Sequence, residues 1–157
     1  MAELKYDITP KNAPLFAGDI VTSAQEIDGV TLDYSVNSLE EVDRIIGRFH
    51  EKGLALDDIA ETVFGFGCYV GEVFVKNAGA TWRAATREEI DNYYGVPLIL
   101  ELGGNTTANP IGKLIKRLEE GDEHNLPYFY HAMCRTAREP IASAPTLWQR
   151  LLGKLWR

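Results

Sequence analysis

Glu72 lies in the run Cys68-Tyr-Val-Gly-Glu72-Val-Phe-Val, where it is the one charged side chain among apolar neighbours. A carboxylate so placed must be paired, hydrogen-bonded or neutralised, because burying it alone costs several kcal/mol. Two kinds of chemistry fit. A carboxyl whose pKa is tuned by burial serves as a general acid or base, as in a hydrolase. Alternatively, the group is structural, pairing with Arg83, Arg87, Lys113 or Arg117 or capping the N–H groups of a loop; this is the expected role. Glu72 is the only catalytic candidate.

His131 and Cys134 are three residues apart and share a helix face, and Cys68 with His124 would complete a four-ligand set. Neither cysteine has a second one at C-x-x-C spacing, so no metal is expected and no cofactor is implied. Cys68, mid-helix among apolar residues, is in a setting that disfavours a thiolate nucleophile. Both cysteines read as small buried hydrophobes, and no disulfide is expected. Gly103-Gly-Asn-Thr-Thr-Ala-Asn109-Pro110-Ile-Gly112-Lys113 joins a strand to a helix, the context of a phosphate loop. It lacks a glycine at the required distance before Gly112-Lys113, and Leu114 stands where a magnesium-binding Ser or Thr belongs. A well-capped turn is expected, with a looser anion site at the helix start as the alternative.

The segment 146–156 is a basic amphipathic stretch on an acidic chain. Helical spacing gathers Trp148, Leu151, Leu152, Leu155 and Trp156 on a broad face, with Arg150, Lys154 and Arg157 elsewhere. Such a face suits docking on its own domain, a homodimer contact or a protein partner's groove; an anionic membrane surface is the less favoured alternative.

The elements that must position these residues can be read from caps and periodicity. A helix is predicted over Pro14–Glu26, with Leu15, Ile20 and Val21 as core contacts, and a strand over Val30–Tyr34, where Val30, Leu32 and Tyr34 alternate. Ser38-Leu-Glu-Glu41 predicts a capping box for a helix that buries Leu39, Val42, Ile45, Ile46 and Phe49. Asp57 is expected to cap a helix from Asp58 to about Asn77 that is apolar nearly all round. Gly67 and Gly71 in that helix each cost about 1 kcal/mol of propensity, and close backbone approach is the expected compensation. Ala80–Ala85 and Pro97–Leu102 read as strands, with a Thr86-Arg-Glu-Glu89 capping box between them. Asn109-Pro110 starts a helix with Ile111, Leu114, Ile115 and Leu118 inward. A further helix runs from Leu126 to Ala137, with Phe129, Tyr130 and Met133 inward. The order predicts an α+β fold: a small sheet of about three to four short strands covered by helices, with a buried central helix. One domain over 1–157 is expected.

The chain has 157 residues, a net charge of −7, 45% hydrophobic and 25% charged residues. This is ordinary globular composition. The acidic balance excludes a general nucleic-acid binder and suits a basic protein partner. The N-terminus shows no secretory pattern and no apolar run is long enough to span a bilayer, so a cytoplasmic location is expected.

Cys68-Tyr-Val-Gly-Glu72-Val-Phe-Val…Gly79-Ala-Thr-Trp82, together with Asn109-Pro110…Lys113…Lys116-Arg117-Leu-Glu-Glu-Gly121…Leu126-Pro-Tyr-Phe-Tyr130, resembles the central motifs of a family of uncharacterised bacterial domains. The resemblance covers about half the chain and implies a bacterial cytosolic protein; it supplies no activity. The residues favour a non-enzymatic interaction protein, of the kind that binds and neutralises a basic effector as immunity proteins do. The alternatives are a hydrolase using Glu72 and a peripheral membrane adaptor anchored by the C-terminal segment.

Overall fold

The computed structural model describes residues 4–93 and 95–138. The predicted helix at 146–156, with Trp148, Leu151, Leu152, Leu155 and Trp156, lies outside the described residues. Among those described, the elements are α1 (Ala13–Asp28), α2 (Leu39–Glu51), α3 (Leu56–Ala78), β1 (Thr81–Ala84), α4 (Arg87–Asn92), β2 (Leu98–Glu101), β3 (Thr107–Ala108), α5 (Pro110–Glu120) and α6 (Leu126–Arg138), with single 3-10 turns at 10–12, 36–38 and 122–124. The fold is α+β. The strands form one antiparallel sheet in the order β1-β2-β3, with Trp82 opposite Leu100 and Leu100 opposite Ala108.

α3 is the buried spine. Every residue from Gly65 to Phe74 is buried, and α3 packs against α1 on one side and α5 on another. Small residues permit this. A Cβ on Gly67 would lie 2.8 Å from the Ile111 Cα of α5, and one on Gly65 would lie 2.6 Å from the Ile20 side chain of α1. Two helix-weakening glycines therefore bring α1 and α5 into contact with the spine's own backbone. α2 covers the far side of α5 and also meets α6. Its Asp43 carboxylate accepts from Arg117 Nε at 2.9 Å and from the Leu126 N–H at 3.0 Å, tying α2 to both helices. Arg117 is only 4% exposed, so this pair is a buried one that costs stability if one partner is removed.

Several local expectations change. Val30–Tyr34 forms no strand: Leu32 is buried, but among the described residues no strand lies alongside to pair its backbone. The first helix turns Phe16, not Leu15, to the core; Leu15 is 47% exposed and Val21 is half-buried. Ser38 makes no capping box. Ser35 caps this turn by accepting the Ser38 N–H, while the Ser38 hydroxyl is engaged by Tyr69, and Glu41 pairs with Arg44 instead. α3 begins at Leu56, after an extended Ala55 with no side-chain cap, so Asp57 lies inside its first turn. The Thr86–Glu89 box and the Asn109 cap both form. The two-residue strand β3 was not expected; Gly104 and Asn105, both with left-handed φ, turn the chain back from β2.

Candidate functional site

The most distinctive local chemistry gathers at the C-terminal half of α3. Gly71 leaves a gap that the Trp82 ring of β1 fills, so that a Cβ there would overlap the indole. With the ring seated, its Nε1–H donates to Glu72 Oε2 at 3.0 Å. Glu72 is 4% exposed. Among the described residues its hydrogen-bond partner is this indole, not one of the expected cations. Those cations are engaged elsewhere: Arg83 with Glu89 and Glu101, Arg87 with Asp91, Arg117 with Asp43, and Lys113 with His124. Cys68, one turn before Glu72, has its thiol pushed up to about 12 by burial and by the Glu72 charge. It is an inert packing residue.

A second polar knot joins α3 to the segment before α2. The Tyr69 hydroxyl lies 2.6 Å from the Ser38 hydroxyl and accepts the Tyr34 N–H at 2.9 Å. Tyr34 has a left-handed backbone, φ 63°, which is uncommon for a bulky residue. It is held there by stacking on Tyr69, by the Lys76 ammonium over its ring, and by Asn77 donating to its carbonyl. Tyr69, Gly71, Glu72 and Trp82, all within the motif, thus serve one purpose: they fasten a loop and a strand to the spine.

A predominantly apolar opening lies elsewhere. A groove of about 320 Å³ runs along the first turns of α3, walled by the N-terminal segment, the 95–97 loop and α5. Leu4, Ile8, Phe64, Val96, Pro97 and Ile115 supply apolar surface, and Asp57 and Glu61 are its only charged residues among those described. The N-terminal wall is fixed by an aromatic ladder: Tyr6 packs edge-on against Phe16, and Phe16 against Phe64. Between the lining residues Asp57 and Ala60, Ile59 departs from helical geometry (φ −130°, ψ 24°), offsetting the first turn of α3 from the rest. Sequence reading missed this site because four separate segments assemble it. A trace was present in Leu56, Ala60 and Phe64 alternating with Asp57 and Glu61 at helical spacing.

The ligand set considered for a metal does not assemble. Cys68 is inside the spine, while His131 is exposed on α6 and Cys134 is buried. His124 does meet two carboxylates, with Nε2 at 2.5 Å from Glu120 and 3.7 Å from Glu123. However, its Nδ1 accepts from Lys113 Nζ at 3.0 Å, so a cation already occupies this cluster. The phosphate-loop comparison also ends in a turn: Asn109 accepts the Gly112 N–H at 2.9 Å, using the donor an anion would need. No helix among the described residues is long and apolar enough to cross a membrane. No family model, no curated protein and no solved structure matches this chain.

Proposed function

We propose that the chain is a non-catalytic binding protein whose groove along α3 takes a basic, amphipathic helical segment of another protein. The observation that carries this reading is the lining: aliphatic and aromatic walls with Asp57 and Glu61 as the sole charges among the described residues. Apolar anchors at helical spacing would enter the groove, and Lys or Arg on the flanks would meet the two carboxylates. The net charge of −7 steers a basic partner toward the chain at long range. At about 320 Å³ the groove has room for anchor side chains, the hot-spot part of an interface. Glu72, sealed under Trp82, lies outside the groove, which favours binding over hydrolysis. Neutralising a basic effector in the bacterial cytoplasm is the biological setting proposed, and two free, buried thiols fit a reducing compartment.

Calorimetry with a helical Leu/Lys peptide and its Leu/Glu counterpart tests the reading. The Lys peptide should bind and the Glu peptide should not. Ala60→Trp, at an exposed position on the groove wall, should weaken binding about tenfold or more, and Asp57→Lys with Glu61→Lys should do the same. Equal binding of the two peptides, or binding indifferent to Ala60→Trp, overturns it.

A further inference from the structure

The groove along α3 and one segment of the same chain are complementary in chemistry. The charged lining residues of the groove, among those described, are Asp57 and Glu61, four apart and both exposed. Neither has an ion-pair partner among the described residues. Leu4 and Ile8 of its wall are each 37% exposed, so apolar surface stays open there. The segment 146–156 carries the complement. Trp148, Leu151, Leu152 and Leu155 stand at i, i+3, i+4 and i+7, the spacing of anchors that lay a helix in a groove. Arg150 and Lys154 are also four apart, the same helical spacing as the two carboxylates. The connecting chain is long enough to bring the two together. α6 ends beside the β2–β3 turn, where a Cβ on Gly104 would lie 3.3 Å from the Ala137 carbonyl oxygen. From Gly104 back along β2 to Pro97 in the groove wall is seven residues, about 24 Å at most. From Arg138 forward to Trp148 is ten residues, a reach of about 33 Å.

We propose that the chain's own segment 146–156 occupies the α3 groove, its Trp148 and leucines against the apolar walls and Arg150 and Lys154 against Asp57 and Glu61. The inference rests on the reading of the groove as a peptide-binding site and adds its regulation: an outside basic helix binds by displacing the tail. Tethering gives the tail an effective concentration on the order of millimolar, so it competes without a high intrinsic affinity. Only a partner that outbids the tethered segment gains the groove, which sets a threshold against weakly binding basic helices.

The test attaches a nitroxide to the full chain through Arg157→Cys, the native Cys68 and Cys134 being buried, and reads paramagnetic broadening of amide signals by NMR. Ala60, Phe64 and Val96 should broaden severalfold more than Gly29 at the far end of α1. Arg150→Glu with Lys154→Glu should remove that broadening, and adding Asp57→Lys with Glu61→Lys should restore it. Absence of broadening at the groove overturns the proposal. Equal broadening when nitroxide and isotope label are on different chains places the tail on a second copy and overturns it too. Calorimetry keeps this result apart from the binding role. The Leu/Lys peptide should bind a Leu152→Asp, Leu155→Asp chain about tenfold or more tighter than the unaltered one. Equal affinity for the two overturns the proposal and leaves the binding role intact. Groove broadening with the peptide bound by neither chain does the reverse.

Discussion

Trp82 and Glu72, ten residues apart, meet as donor and acceptor at 3.0 Å, with the indole ring seated on Gly71 beside them. The contact is asymmetric, and mutation should expose that. Glu72→Gln keeps an acceptor oxygen and should cost less than about 1 kcal/mol. Glu72→Leu leaves a buried indole N–H unpaired and should cost about 1–3 kcal/mol. Trp82→Phe leaves the buried carboxylate without its donor and should cost about 3 kcal/mol or more. Urea unfolding of the three variants checks the order, and equal losses for Glu72→Gln and Glu72→Leu would sink this account.

Glycine substitutions should differ in sign by position. Gly71→Ala drives a methyl into the Trp82 ring and should destabilise by about 1–3 kcal/mol. Gly18, inside α1, has nothing within 4 Å of where an added methyl would stand, so Gly18→Ala should stabilise by about 1 kcal/mol through helix propensity alone. Thermal melts of the two variants should shift in opposite directions.

Cys68 should be silent to thiol reagents. With its thiol pushed up from 9 to about 12 by burial and the Glu72 charge, the native thiolate fraction at pH 8 falls roughly a thousandfold. Mass spectrometry after iodoacetamide should show Cys68 unmodified in the native chain and alkylated in denaturant. Alkylation of native Cys68 at the rate of a free thiol would contradict the burial described.

The acid limb of stability should carry the mark of Glu89. The Arg83 guanidinium, donating at 2.6 and 2.9 Å, and the Thr86 N–H hold its carboxyl down at about 2, from an ordinary value of 4.5. A folded-state pKa below the unfolded one contributes stability that is present above pH 4.5 and is lost as pH falls toward 2. Glu89→Gln should therefore lower stability at pH 7 and flatten its pH dependence between those values. A wild-type profile flat from pH 5 to about pH 2 would rule out this assignment.

Where the chain announces a helix with a local hydrogen bond, the sequence was readable. Thr86 with Glu89, and Asn109 with Gly112, need only their immediate neighbours, and both caps form. Ser38 failed by the same logic, because a residue 31 positions away, Tyr69, recruits its hydroxyl. Val30–Tyr34 has strand alternation, but strands are made by partners, and neighbouring residues do not reveal whether a partner exists. The burial of Glu72 was legible from its apolar helix. Its partner was not, since attention to opposite charges overlooks a neutral indole donor arriving from the next strand. The α3 groove was less legible still, because it is assembled from separate segments.

The bonds from Asp43 to Arg117 and Leu126 bridge separations of 74 and 83 residues. On the ribosome, therefore, α2 emerges long before the helices that cover it. At synthesis rates of about 5–20 residues per second, the apolar side of Val42, Ile45 and Ile46 waits roughly 4–15 seconds for α5 and α6. The spine α3 cannot substitute, since it too needs α5 along one flank. The nascent protein is thus obliged to carry an uncovered amphipathic helix while the next 74 to 83 residues are made, which makes it a natural client for a holding chaperone.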